Sequence, residues 1–224
     1  MGSCESVRSM LLKGDVLEQM ARLPDHSVDM VLCDPPQGTF QKRWDWSTWW
    51  REVQRVTKSD AAIVLFASGM HTADLMKSNV KQWRYNLVWM IMDAPIVREQ
   101  NTRRMPTRIH EDICVFYASP PTYHPQKSKG HAPQKSHHAG SSSNGYGKVS
   151  NKANCATFGS EERYPHSVLQ YPAIATAKPK ELFQHLIKTY TNPHAVVLDS
   201  FAQRPGSISA ACQETSRTCI QIRC

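Results

Sequence analysis

Short apolar runs alternate with segments of helical period along most of the chain, and this alternation constrains the fold more than any other feature. Residues 9–12, 28–33, 61–66, 87–92, 113–117, 195–199 and 218–222 read as strands, seven in all. Between them, 16–23, 47–56, 72–80, a segment opening at Pro179, and 207–214 repeat apolar residues at helical spacing, with Thr72 placed to cap the third. A helix between two strands returns the chain to the same sheet edge, so the strands pair in parallel and are covered on both faces. The expectation is an α/β fold with a doubly wound, mostly parallel, seven-stranded sheet. At 224 residues, 40% of them hydrophobic, the chain suits one domain with a substantial core.

One stretch breaks the pattern. Residues 118–165 are rich in Pro, Gly, Ser, His and Lys, and no acid lies between Asp112 and Glu161. Such a stretch cannot bury enough apolar surface to order itself and reads as a flexible basic insert. It divides the chain into a first half, 8–117, and a last half, 166–224. The net charge of +8 favours a polyanionic partner. The seven cysteines are scattered with no CxxC pair, which argues against a metal site or a disulfide framework. They read as reduced thiols of a cytoplasmic protein. No apolar run is long enough to span a bilayer, and the first residues lack the layout of a signal peptide.

Two motifs carry chemistry. Asp34-Pro35-Pro36-Gln37 follows an apolar strand, and open α/β sheets bind ligands at the carboxy ends of their strands. A rigid Asp-Pro-Pro turn offers a carboxylate and a free carbonyl, two acceptors that suit an exocyclic NH2 group. A strand ending in a Pro-rich turn is the bland alternative. The second motif is the strand ending at Asp199, its loop through Ser200, Phe201 and Ala202, the helix from Ser207, and the final strand. This order is that of a nucleotide-type cofactor half, though βαβ units are common.

In this order the segments resemble the β-class DNA amino-methyltransferases. Gly14-Asp15, Asp34-Pro35-Pro36, the run from Arg108 to Tyr117, Thr176-Ala177-Lys178-Pro179 and Asp199-Ser200-Phe201-Ala202 are similar to successive family motifs. The resemblance implies a Rossmann-like methyltransferase sheet, S-adenosylmethionine as cofactor and double-stranded DNA as partner. A homodimer or a partner protein is a further expectation, as is a bacterial or phage origin. It assigns Asp34, Pro35, Pro36 and Gln37 to catalysis, and Asp15, Lys178, Asp199, Phe201, Ala202, Gly206 and Ser207 to the cofactor. Arg98, Arg103, Arg104, Arg108, Lys127 and Lys129 fall where the family faces DNA; no residue is assigned to a metal.

The chain also departs from the pattern. Gln37 stands where the family has an aromatic that stacks on the target base, and Trp44 and Trp46 are the nearby substitutes. Gln203 and Pro205 interrupt the glycine-rich donor loop, and Arg223 replaces an acid that receives the ribose hydroxyls. These changes favour a DNA-binding family member with impaired or lost methyl transfer, acting on adenine N6 ahead of cytosine N4. The alternative is an active site-specific adenine-N6 methyltransferase with variant motifs.

Overall fold

The computed structural model describes residues 9–36, 44–92, 104–132, 160–173, 177–202 and 207–223. The chain divides into a larger unit, Met1–His124 with Ser167–Cys224, and a smaller one, Pro125–His166.

The larger unit is one sheet with helices on both faces. Its strands are β1 (Met10–Lys13), β2 (Val28–Cys33), β3 (Thr57–Ala67), β4 (Trp83–Met92), β5 (His110–Phe116), β6 (Val168–Pro172), β7 (Val196–Asp199) and β8 (Thr218–Arg223). Its helices are α1 (Val16–Ala21), α2 (Trp46–Val56), α3 (Met70–Ser78), α4 (Lys180–Tyr190) and α5 (Ser207–Glu214). The sheet order is β1-β8-β7-β2-β3-β5-β4-β6. All pairings are parallel except those of β5, which runs antiparallel to both β3 and β4.

The described sheet therefore has eight strands where the sequence indicated seven. The addition is β6, which pairs in parallel with β4 from Val88↔Val168 to Met92↔Pro172. Its five residues alternate exposed and covered positions and end in proline, so no long apolar run marks it. The helix expected over 72–80 instead starts at Met70, with Gly69 at its N-cap. Thr72 does not cap it; its hydroxyl donates to Asp112 Oδ2 at 2.7 Å and ties α3 to β5.

Strand pleating sorts the core into two layers. Val31 and Cys33 of β2 face α1, α2 and α3 with Val16, Met20, Trp49, Val53 and Leu75. Met30 and Leu32 face α4 and α5 with Leu182, Leu186, Ile208 and Cys212. Cys33, Cys114, Cys212 and Cys219 are free and buried in this interior.

In the smaller unit, Ser128 and Arg163 form an antiparallel bridge. Lys127 pairs with Glu162 at 3.2 Å and lies over the Tyr164 ring at 4.9 Å. Arg163 donates to the carbonyls of Ser160 and Ala132.

Candidate active site

The carboxy edge of the sheet gathers the chemistry. β2 runs straight into Asp34, β3 into the turn before α3, and β7 into Ser200 and Phe201. Because β5 is antiparallel, its amino end arrives at the same edge, with Ala67 opposite Asp112. That reversal brings Glu111 to Asp34 through a shared cation. Lys178 Nζ, just ahead of α4, lies 2.7 Å from Asp34 Oδ2 and 3.0 Å from Glu111 Oε2. The ammonium also sits 4.9 Å from the centre of the Phe66 ring. Burial pulls the Lys178 ammonium down, but the two carboxylates outweigh it and hold its pKa above the ordinary lysine value. Asp34 and Pro36 are half-buried and Pro35 is buried.

A brace inside the sheet holds this edge together. Trp49 Nε1 donates to Ser200 Oγ at 3.1 Å, and Ser200 Oγ lies 3.4 Å from Cys33 Sγ. The Ser200 amide also donates to that sulfur at 3.2 Å. Burial drives the Cys33 thiol well above its usual range, so it stays protonated and serves as packing.

The residues expected at a cofactor are arranged as follows. Asp199 is buried, and both its oxygens are engaged internally: Oδ1 accepts from the Phe201 amide at 3.2 Å and Oδ2 from Gln221 Nε2 at 3.2 Å. Burial raises its pKa to about 7, offset in part by those bonds. Phe201 is nearly buried among tryptophans, with Trp44 edge-on at 5.2 Å, Trp49 at 5.8 Å and Trp46 at 6.2 Å. Ala202 is buried and its amide donates to the Ile222 carbonyl at 3.0 Å. Ser207 is the exposed first residue of α5. Asp15 is exposed and caps α1, accepting from the amides of Leu17 and Glu18 at 2.9 and 3.1 Å. Lys178, expected beside the cofactor, is instead bound to the catalytic carboxylate. Gln37, Gly206 and the donor-loop changes Gln203 and Pro205 lie outside the described residues.

Arg104 and Arg108 are exposed in the larger unit, and Lys127 and Lys129 in the smaller; Arg98 and Arg103 lie outside the described residues. Arg108 extends across the β3–α3 turn, where its Nη2 lies 3.3 Å from the position a Gly69 Cβ would take. Among the described residues no group of three or more His, Cys, Asp or Glu side chains could hold a metal ion. Two residues of the edge went unassigned in the sequence reading. Glu111 needed the reversed direction of β5 to reach Asp34, which no local pattern reveals. His71 needed α3 to start before Thr72.

The DNA methylase profile matches residues 28–223, nearly the whole sheet. The chain belongs to the DNA methylase family. Solved structures agree in fold. M1.HpyAVI in complex with SAM is 17% identical, with a TM-score of 0.62 over 96% of this chain and 93% of that one. The cytosine-N4-specific PvuII DNA methyltransferase is 13% identical, with a TM-score of 0.67 over 95% and 80%. The DNA modification methylase TTHA0409 of Thermus thermophilus, complexed with S-adenosyl-L-methionine, is 18% identical, with a TM-score of 0.62 over 96% and 88%. In this DNA methylase the sheet and its carboxy edge are retained, while the residues decorating the edge have diverged.

Proposed function

We propose that this DNA methylase binds double-stranded DNA, holds the amine of a target base at Asp34 and uses S-adenosylmethionine as cofactor, with methyl transfer impaired. The observation that carries the reading is Lys178 bridging Asp34 and Glu111. A cation between two carboxylates balances Asp34 while leaving it an acceptor. Asp34 and a carbonyl of the Pro35-Pro36 turn then receive the two hydrogens of an exocyclic amine and aim the nitrogen lone pair. Trp46, half-buried at the start of α2, is the described aromatic best placed to stack on an unstacked base in place of Gln37.

The residues fit the cofactor in framework. Phe201 and Trp44 would wall an adenosine, and Ser207 and Ala202 would line its approach at the end of β7. When bound, S-adenosylmethionine supplies a methyl carbon on a sulfonium; the carbon–nitrogen bond forms as the carbon–sulfur bond breaks, leaving a neutral thioether and one proton to be lost. The fit is weaker where the ribose hydroxyls belong. Arg223 ends β8 as an exposed cation and accepts no hydrogen bond, and the Asp199 oxygens are engaged by Gln221 and a backbone amide. Weak donor binding, rather than a lost amine site, is therefore the source of impairment. Adenine N6 is the favoured target over cytosine N4.

Calorimetry with S-adenosylmethionine and transfer of its labelled methyl group to unmethylated DNA test the proposal. The expected result is weak binding and slow labelling, on adenine rather than cytosine, abolished by Asp34→Ala. Labelling unaffected by Asp34→Ala, or neither binding nor labelling across varied DNA, would overturn the catalytic reading.

A further inference from the structure

His71 stands out once Asp34, Lys178 and Glu111 are accounted for. It lies in the first turn of α3, at the carboxy edge where β2 delivers Asp34. The side chain is only 4% exposed, and neither ring nitrogen has a hydrogen-bond partner. Burying two unpaired imidazole nitrogens is costly, so such a group points to a ligand that completes it.

Three contacts fix where it sits. The ring lies 6.2 Å from that of Trp46, tilted by 42°. Next to it, Thr72 is bolted to Asp112, the neighbour of Glu111, and Glu111 shares Lys178 with Asp34. The negative charges of Asp34 and Asp74 both act on the imidazole, yet burial outweighs them and keeps its pKa below the ordinary histidine value. The ring is thus neutral near pH 7, with one nitrogen a donor and the other an acceptor.

We propose that His71 is a base-reading residue, its imidazole donating a hydrogen bond to the ring nitrogen beside the amine that Asp34 holds. Adenine and cytosine both carry an unprotonated ring nitrogen next to an exocyclic amine, N1 in one and N3 in the other. A carboxylate for the amine and an N–H for the ring nitrogen together match that edge. Thymine presents a carbonyl next to an N–H, and its carbonyl would meet the Asp34 carboxylate. This inference rests on the reading that Asp34 receives the amine of an unstacked base.

The test removes the ring nitrogen from the ligand and the imidazole from the protein. The full-length chain is titrated at one fixed low salt concentration with oligo(dA) against oligo(1-deaza-dA), and with oligo(dC) against oligo(3-deaza-dC). Each analogue keeps the amine and replaces the ring nitrogen by CH. The native protein is expected to prefer the natural base in at least one pair by between about threefold and tenfold, the worth of one hydrogen bond. His71→Phe should erase that preference, and His71→Gln, which keeps a donor, should retain part of it. Equal affinity of the native protein for base and analogue in both pairs, or an undiminished preference in His71→Phe, overturns the role of His71 and leaves the DNA-binding reading standing. No binding to any of the four oligonucleotides overturns both. If His71→Phe does not fold, the imidazole 15N resonances of the native protein decide. A shift on adding oligo(dA) or oligo(dC) that the deaza strands do not reproduce supports the contact; no shift with either natural strand overturns it.

Discussion

Individual side chains at this edge are held by charge as much as by packing. Lys178 serves two carboxylates, so Lys178→Met leaves Asp34 and Glu111 facing each other with no cation between them. Breaking a buried ion pair costs about 3–5 kcal/mol. Asp34 is 35% exposed, and solvent screening lowers the expected loss to about 2 kcal/mol, read from urea unfolding. Asp199 behaves in the opposite sense to most carboxylates. Its ordinary pKa is 3.8 and its folded value is about 7, so the folded chain keeps a proton that the unfolded chain has released. Stability is therefore expected to fall as pH rises from about 4 to about 7, by at most about 4 kcal/mol. Asp199→Asn should flatten that slope in pH-dependent chemical denaturation; an unchanged slope would show that another group carries it. From the sequence, Asp34 was legible because a strand and a rigid turn present it. The environment of Lys178 was not, since its partners are distant in the chain and one comes from a reversed strand.

At the level of elements, helices and long strands were readable because their apolar spacing is local. Residues 207–214 form α5 with the bounds that periodicity indicated. The failures arose where tertiary context overrode local preference. β6 has too little apolar character to declare itself and exists through pairing with β4. Thr72 has the chemistry of a cap, but Asp112 takes its hydroxyl, and the chain turns at Gly69 instead. Gly69 has φ 60° and ψ −132°, a region essentially confined to glycine. Its missing Cβ also leaves room for Arg108. Gly69→Ala is expected to cost about 1–3 kcal/mol in chemical denaturation. Gly69→Asn should cost about as much, because asparagine relieves strain in the left-handed helical region and not here. A neutral Gly69→Asn would refute the strained turn.

For the whole molecule, the net charge of +8 becomes specific through exposed arginines. Arg104 and Arg108 flank the start of β5 in the larger unit. If both contact phosphates, replacing them with alanine should reduce the slope of log K against log salt by about 1.8, from about 0.9 per contact. An unaltered slope in a filter-binding or anisotropy series would place the DNA elsewhere. The fold class was legible from strand–helix alternation alone. The smaller unit was visible only as a compositional break, because nothing in that stretch has a periodicity from which the Ser128–Arg163 bridge could be read.

The brace of Cys33, Ser200 and Trp49 acts like the bed of a vice. Asp34 and Phe201 are each one residue beyond it, so the gap between the jaws is set underneath the working surfaces. Exchanging what lines either jaw alters grip and leaves alignment alone. A chain built this way can lose hold of one ligand while remaining in register for it, and substitutions confined to the jaw faces suffice to restore the grip.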